Sequence, residues 1–213
     1  MADSDQPLQP RFDYDPGSTI FLLVGEEQEQ MLVHASYLSS RSEFFRAALA
    51  KDWKESRTRI IKLPEDDPQT VAQYLDFTYQ GRLPTHQSWT PSQTDSMYLA
   101  LARLYVYGER VLDTAIRNII VEHLIAFSSI ANHDLPTHPH YPGPEVVEMV
   151  YDGTIAASPI RRFLVDMYVR FGQNKWMDPE LHPAFLQDVA RELIGRVVHG
   201  NSAMRKDDYL VAQ

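Results

Sequence analysis

The chain contains no cysteine. That absence removes disulfides, thiol nucleophiles and cysteine-type zinc sites together, and it agrees with an intracellular setting, cytoplasm or nucleus. Long apolar runs are missing too: none approaches the roughly 20 residues of a membrane-crossing helix, so no membrane partner is expected. There is no basic stripe. The 213 residues carry 20 Lys and Arg against 29 Asp and Glu, a net charge of −9. Phosphate contacts need clustered cations, so nucleic acid is not an expected partner. The one compact basic run, KESRTRIIK from Lys54 to Lys62, is flanked by acidic residues and reads as a solvated strand edge. The opening MADSDQPLQPRFDYDPG is polar and acidic. It has neither the cationic start nor the apolar centre of a signal peptide.

Catalytic motifs are equally scarce. No G-x-S-x-G, H-E-x-x-H, Ser-x-x-Lys, G-x-G-x-x-G or Walker loop occurs. The carboxylates Glu65, Asp66 and Asp67 precede a helix, where capping and dipole compensation account for them. His133, His138 and His140 gather in a proline-rich loop, and a His-x-His with a third histidine can hold zinc or nickel. No acidic or cysteine partner stands at a fixed spacing from them. The reading is therefore non-enzymatic, with no cofactor, no metal and no small-molecule substrate. An enzyme or metal binder using the His133 to His140 loop is the third alternative.

What is present is ordinary globular composition, 44% hydrophobic and 23% charged. Residues 1–17 read as a disordered arm rich in Pro, Asp and Gln. STIFLLVG is a strand, GEEQEQ a polar turn and MLVHA a second strand, which together make a hairpin. VHASYLSSRSEFFRAAL then takes helical spacing through Leu38, Phe44, Phe45, Ala48 and Leu49. Ser39, Ser40 and Ser42 mark a break into two short helices, because serine competes for backbone hydrogen bonds. RIIKLPED is a third strand, ended by Pro64.

A helix follows, capped by Asp66 or Asp67, opened by Pro68 and stopped by Gly81 and Pro84. Its predicted inner stripe is Val71, Tyr74, Leu75 and Thr78. Phe44, Phe45, Tyr74, Phe77 and Tyr79 have core-like spacing. Two further helices meet at a joint marked by Gly108 and Asp113. A loop with four prolines spans residues 131–144. Three helical segments close the chain, with Ser158-Pro159 as one start and Gly172 and Gly195 or Gly200 as stops. There is no internal repeat.

This order of elements, and its wording, resembles the BTB/POZ fold. VHASYLSSRSEFFRAAL is similar to that family's hydrophobic-His-x-x-x-Leu-x-x-x-Ser-x-x-Phe-x-x-x-Leu segment, through Val33, His34, Leu38, Ser42, Phe45 and Leu49. IIKLPEDDPQTVAQYLDFTYQGRL looks like the strand and helix after it, ending on the aromatic-x-Gly turn of Tyr79 and Gly81. MYLALARLYVYGERVLDTAIRNII looks like the next helix pair. SPIRRFLVDMYVRFG and the segments after it resemble stand-alone BTB proteins of filamentous fungi.

The resemblance implies an α+β fold: a BTB/POZ domain over residues 18–128, a small sheet with a helical cluster. A Pro/His-rich linker at 129–144, an all-α extension at 145–199 and a flexible tail at 200–213 would follow. It also implies a protein-interaction module that pairs with itself or with another BTB protein through the first strand and helix, here Ile20, Leu22, Ala35 and Leu38. Many members are substrate adaptors for cullin-type ubiquitin ligases and carry a hydrophobic-x-Glu motif, matched by Trp53, Lys54 and Glu55. Others are scaffolds or transcription co-regulators that bind no cullin, which is the second alternative. His34, Phe45 and Gly81 take structural roles, with the His34 ring nitrogens satisfying local backbone groups. Many family dimers open the first strand with Asp and carry Lys or Arg after the histidine. Here Ser18 or Thr19 and Ala35 stand in those places.

Overall fold

The structure, a computed structural model, describes residues 19–50, 58–81, 83, 94–134, 141–172 and 176–198. The chain divides into two compact units, Met1–Arg82 and Leu83–Gln213.

In the first unit, β1 (Thr19–Val24) and β2 (Glu29–His34) form an antiparallel pair in which Phe21 faces Leu32 and Leu22 faces Met31. The turn between them needs left-handed backbone at both ends, supplied by Gly25 (φ 74°) and Gln28 (φ 55°). Its Gln28 N–H donates to the Gly25 carbonyl at 3.1 Å. β3 (Ile60–Leu63) lies parallel to β1 on its other side, giving the order β2-β1-β3. A parallel neighbour requires a crossover, and the chain between β2 and β3 includes α1 (Ala35–Arg41) and α2 (Glu43–Ala48).

Of the three serines expected to separate these helices, only Ser42 does so. It leaves helical geometry (φ −105°, ψ 125°), ends α1 and caps α2, its Oγ accepting from Phe45 N–H at 3.1 Å. Ser39 and Ser40 instead donate back to the carbonyls of Ser36 and Tyr37, which keeps them inside the helix.

α3 (Pro68–Gln80) starts on Asp67, whose Oδ2 accepts from Thr70 N–H at 2.8 Å and Thr70 Oγ1 at 2.7 Å. It ends on Gly81 in the left-handed region (φ 68°), where a β-carbon would be strained. Its buried stripe is Thr70, Val71, Tyr74, Phe77 and Thr78. Leu75, expected in that stripe, is only half-buried, because Phe77 takes the inward position. Phe45, Tyr74 and Phe77 are core, and the Phe45 and Tyr74 rings stack at 6.4 Å. Phe44 and Tyr79, also expected in the core, stay substantially exposed.

The second unit is helical: α4 (Thr94–Arg110), α5 (Thr114–Asp134), α6 (Pro144–Gly153), α7 (Pro159–Phe171) and α8 (Pro183–Val198). The first joint falls at Val111 to Asp113 rather than at Gly108. Asp113 caps α5, its Oδ1 accepting from Ala115 and Ile116 N–H at 2.9 and 3.2 Å. Gly108 lies inside α4. A β-carbon there would sit 2.5 Å from Ile116 Cγ2, so this glycine permits a close approach of α4 to α5. The region read as a linker from residue 129 begins as helix, because α5 runs on to Asp134. Gly195 is inside α8, whereas Gly172 ends α7 with its N–H on the Tyr168 carbonyl.

Ser158 starts α7 without capping it through its side chain. Its Oγ donates to Glu109 Oε2 at 2.9 Å and lies 3.0 Å from Tyr105 Oη, while Glu109 Oε1 accepts from Ile155 N–H at 3.1 Å. One carboxylate on α4 thus holds the turn into α7. Arg161 does the same for the end of α6, donating to the Tyr151 carbonyl at 2.6 Å and to the Thr154 carbonyl.

Burial pushes the phenols of Tyr98, Tyr105, Tyr151 and Tyr168 above their ordinary value of 10.0. The Asp188 carboxylate that accepts from Tyr151 at 3.0 Å adds to that shift. Below pH 10 both folded and unfolded chains keep these protons. Above it the unfolded chain loses them while the folded chain holds them, so stability falls as pH rises. In an alkaline titration, the part of the tyrosinate absorbance that these four phenols supply is therefore expected to rise in a cooperative step coincident with loss of helical circular dichroism. Full ionisation of all the tyrosines with the fold intact would contradict these burials.

Candidate interaction surface

β1 reads TIFLLV, a continuous apolar run, and the pleat sends alternate residues to opposite faces. Ile20, Leu22 and Val24 are on the buried side, together with Val33, Ile61 and Leu63 from the flanking strands. Of the expected pairing contacts, Ile20 (2% exposed), Leu22 (0%) and Leu38 (0%) are covered by their own chain. Ala35, at the start of α1, is half-buried.

The opposite face of the sheet is where apolar surface is open. Leu32 (61% exposed), Phe21 (42%) and Ile60 (36%) stand in register across β2, β1 and β3 and form one apolar row. Half-buried Leu23 sits in the next row, between the exposed Gln30 and Lys62. An alternation rule applied to an all-apolar strand cannot choose between its two faces. The exposure of β2, where only Val33 is buried, is the signal that distinguishes them.

His34 ends β2 and precedes α1. Its backbone N–H donates to Tyr79 Oη at 3.0 Å, and its Nδ1 lies 3.0 Å from the same oxygen. The expected backbone partner for the ring is thus replaced by a side chain 45 residues on. Tyr37 completes a three-ring group, 4.6 Å from Tyr79 and 5.9 Å from His34. Tyr79 therefore ties the end of α3 to the point where sheet becomes helix. Tyr79→Phe is expected to lower stability by about 1 kcal/mol, the worth of a part-exposed hydrogen bond, as read by urea denaturation. An unchanged midpoint would show that water replaces the hydroxyl.

Trp53, Lys54 and Glu55 lie outside the described residues, between α2 and β3. His138 and His140 lie outside them as well, and of His133 only the helical backbone is described. Among the described residues no group of three His, Cys, Asp or Glu could hold a metal ion, and no helix is long and apolar enough to cross a membrane.

A three-stranded sheet with capped helices and an open apolar row defines an α+β domain. The chain belongs to the BTB/POZ domain family, whose family model matches residues 11–121, more than half its length. It is similar to mouse Kelch-like protein 30, 35% identical over 77 residues, or 36% of this chain and 13% of that protein. It is also similar to human Kelch-like protein 30, 31% identical over 107 residues, or 49% and 17%. The chain thus spans less than a fifth of the length of these relatives.

Proposed function

We propose that this protein is a non-enzymatic, intracellular adaptor that pairs with itself or another BTB protein and docks a cullin-type ubiquitin ligase scaffold through Trp53, Lys54 and Glu55. The observation that carries this reading is the coincidence of family membership with that tripeptide. It falls between α2 and β3, the place where adaptor members of the family carry a hydrophobic-x-Glu motif. The likeness to Kelch-like protein 30 supports it. For the pairing surface we propose the open row of Phe21, Leu32 and Ile60, since Ile20, Leu22 and Leu38 are already covered. The missing charged pair at Ser18 or Thr19 and Ala35 leaves that apolar row as the main source of pairing energy.

The test is co-purification of the full chain from its own cells, scored for a cullin, with light-scattering chromatography of the pure protein alongside. Cullin in the eluate and a dimer mass are the expected results. Repeated co-purification without cullin would favour a scaffold or transcription co-regulator of the same fold. A monomer at high micromolar concentration would refute the pairing.

A further inference from the structure

A second surface lies at and beyond the end of the family match, between α5 and α7. Val121 and Ile125 on α5 recur at i and i+4, and Phe163, Met167 and Phe171 on α7 recur at i, i+4 and i+8. Each set makes one stripe along its helix. Together they line an open groove of about 470 Å³. Ile125 is 51% exposed and Phe171 40%, so the groove holds apolar surface that the described residues leave uncovered.

Its rim is cationic. Arg162 and Arg170 flank the groove from α7, both exposed, and their guanidinium groups make no hydrogen bond or ion pair with the described residues. Asp166 stands between them and shares Arg196, at 3.1 Å, with Glu192, at 3.0 Å. Two arginines that pair with none of the described residues thus border an apolar groove, an excess of positive charge at its rim in a chain whose net charge is −9. They stand eight positions apart, about 12 Å along the helix.

From this complementarity we propose that the groove docks an acidic amphipathic helix of a partner protein. Its apolar stripe fills the space between α5 and α7, and two carboxylates about two turns apart pair with Arg162 and Arg170. Free guanidinium groups favour carboxylates through two parallel hydrogen bonds. A basic or neutral helix would leave both arginines unpaired against apolar surface. The proposal is independent of the cullin reading, which concerns residues 53–55, and it holds whether or not that reading does.

The probe is a fluorescent helical peptide of about 16 residues, long enough to be helical, with leucines on one face and two glutamates two turns apart. A matched peptide carries lysines in place of those glutamates. Anisotropy titration of the full chain should show saturable binding of the glutamate peptide only, weakening with added salt. Arg162→Gln with Arg170→Gln should weaken it roughly tenfold, as expected for losing exposed charge pairs, without moving the melting temperature. Ile125→Asp should weaken it as well, and a photo-crosslinker on the leucine face should label residues in α5 and α7.

Equal binding of the two peptides, binding indifferent to the double variant, or labelling elsewhere would overturn the proposal. So would self-association that Ile125→Asp abolishes while the peptide fails to bind, because a second copy would then be the occupant.

Discussion

Alanine at both Trp53 and Glu55 is expected to abolish capture of a cullin scaffold while leaving the melting temperature unchanged. The large effect follows from how binding energy is distributed. A tryptophan is among the residue types that dominate interfaces, and its truncation there costs about 2 kcal/mol or more, which is over tenfold in affinity. A charge lost beside it slows association and leaves its partner unpaired. Melting temperature is the control that separates this from an internal packing role. Were Trp53 part of the core, its removal would cost roughly 3–5 kcal/mol of stability, and lost capture would come with lost fold. Full capture by the folded double variant would remove Trp53 and Glu55 from the site, even if a cullin is bound elsewhere.

The second large effect contrasts two leucines of the same hairpin. Leu22→Asp is expected to unfold the first unit, and Leu32→Asp to leave it folded and turn a dimer into a monomer. Leu22 is fully buried and Leu32 is 61% exposed. An aspartate at Leu22 would carry an unpaired carboxylate into the apolar side of the sheet, at a cost of several kcal/mol or a strongly raised pKa. That is a large fraction of the 5–15 kcal/mol by which domains are ordinarily stable. At Leu32 the same carboxylate remains in water in the monomer. It meets its own symmetry mate only if that face pairs with a second copy. Circular dichroism and light-scattering mass on both variants decide the matter. A folded Leu32→Asp dimer would place the interface elsewhere.

The proposed adaptor site and the α5–α7 groove draw on different chemistry. The first depends on a tripeptide recognised by its position between two elements. The second depends on residues from 121 to 171 that no short motif unites and that become neighbours only when the helices pack. The histidine of the opening strand-to-helix segment sits at neither. Its contact with Tyr79 ties the end of β2 to the end of α3 within the first unit.

Caps and stops were legible where a single residue supplies the physics. Asp67 and Pro68 open α3, Gly81 closes it in left-handed geometry, and Gly172 closes α7. One such signal misled: Gly108 looked like a break and is a close-packing position, a long-range contact using a residue whose local preference pointed elsewhere. Ser158-Pro159 does open α7 as expected, while the Ser158 hydroxyl binds a carboxylate 49 residues earlier.

The sequence by itself determined the α+β order, the three strands, the paired short helices and the family, because periodicity, capping and turn chemistry act over a few residues. It also determined that cysteine chemistry is impossible. The tertiary structure alone decided which side of β1 is interior. TIFLLV is apolar on both sides, and only pairing with β2 and β3 and the burial of one face separate Leu22 from Phe21. It alone decided that Phe45 is core while its neighbour Phe44 is not, and that two stripes on α5 and α7 form a groove with Arg162 and Arg170 at its rim. Burial is a property of what lies on the far side of a side chain, and that neighbour comes from a part of the chain that local sequence does not specify.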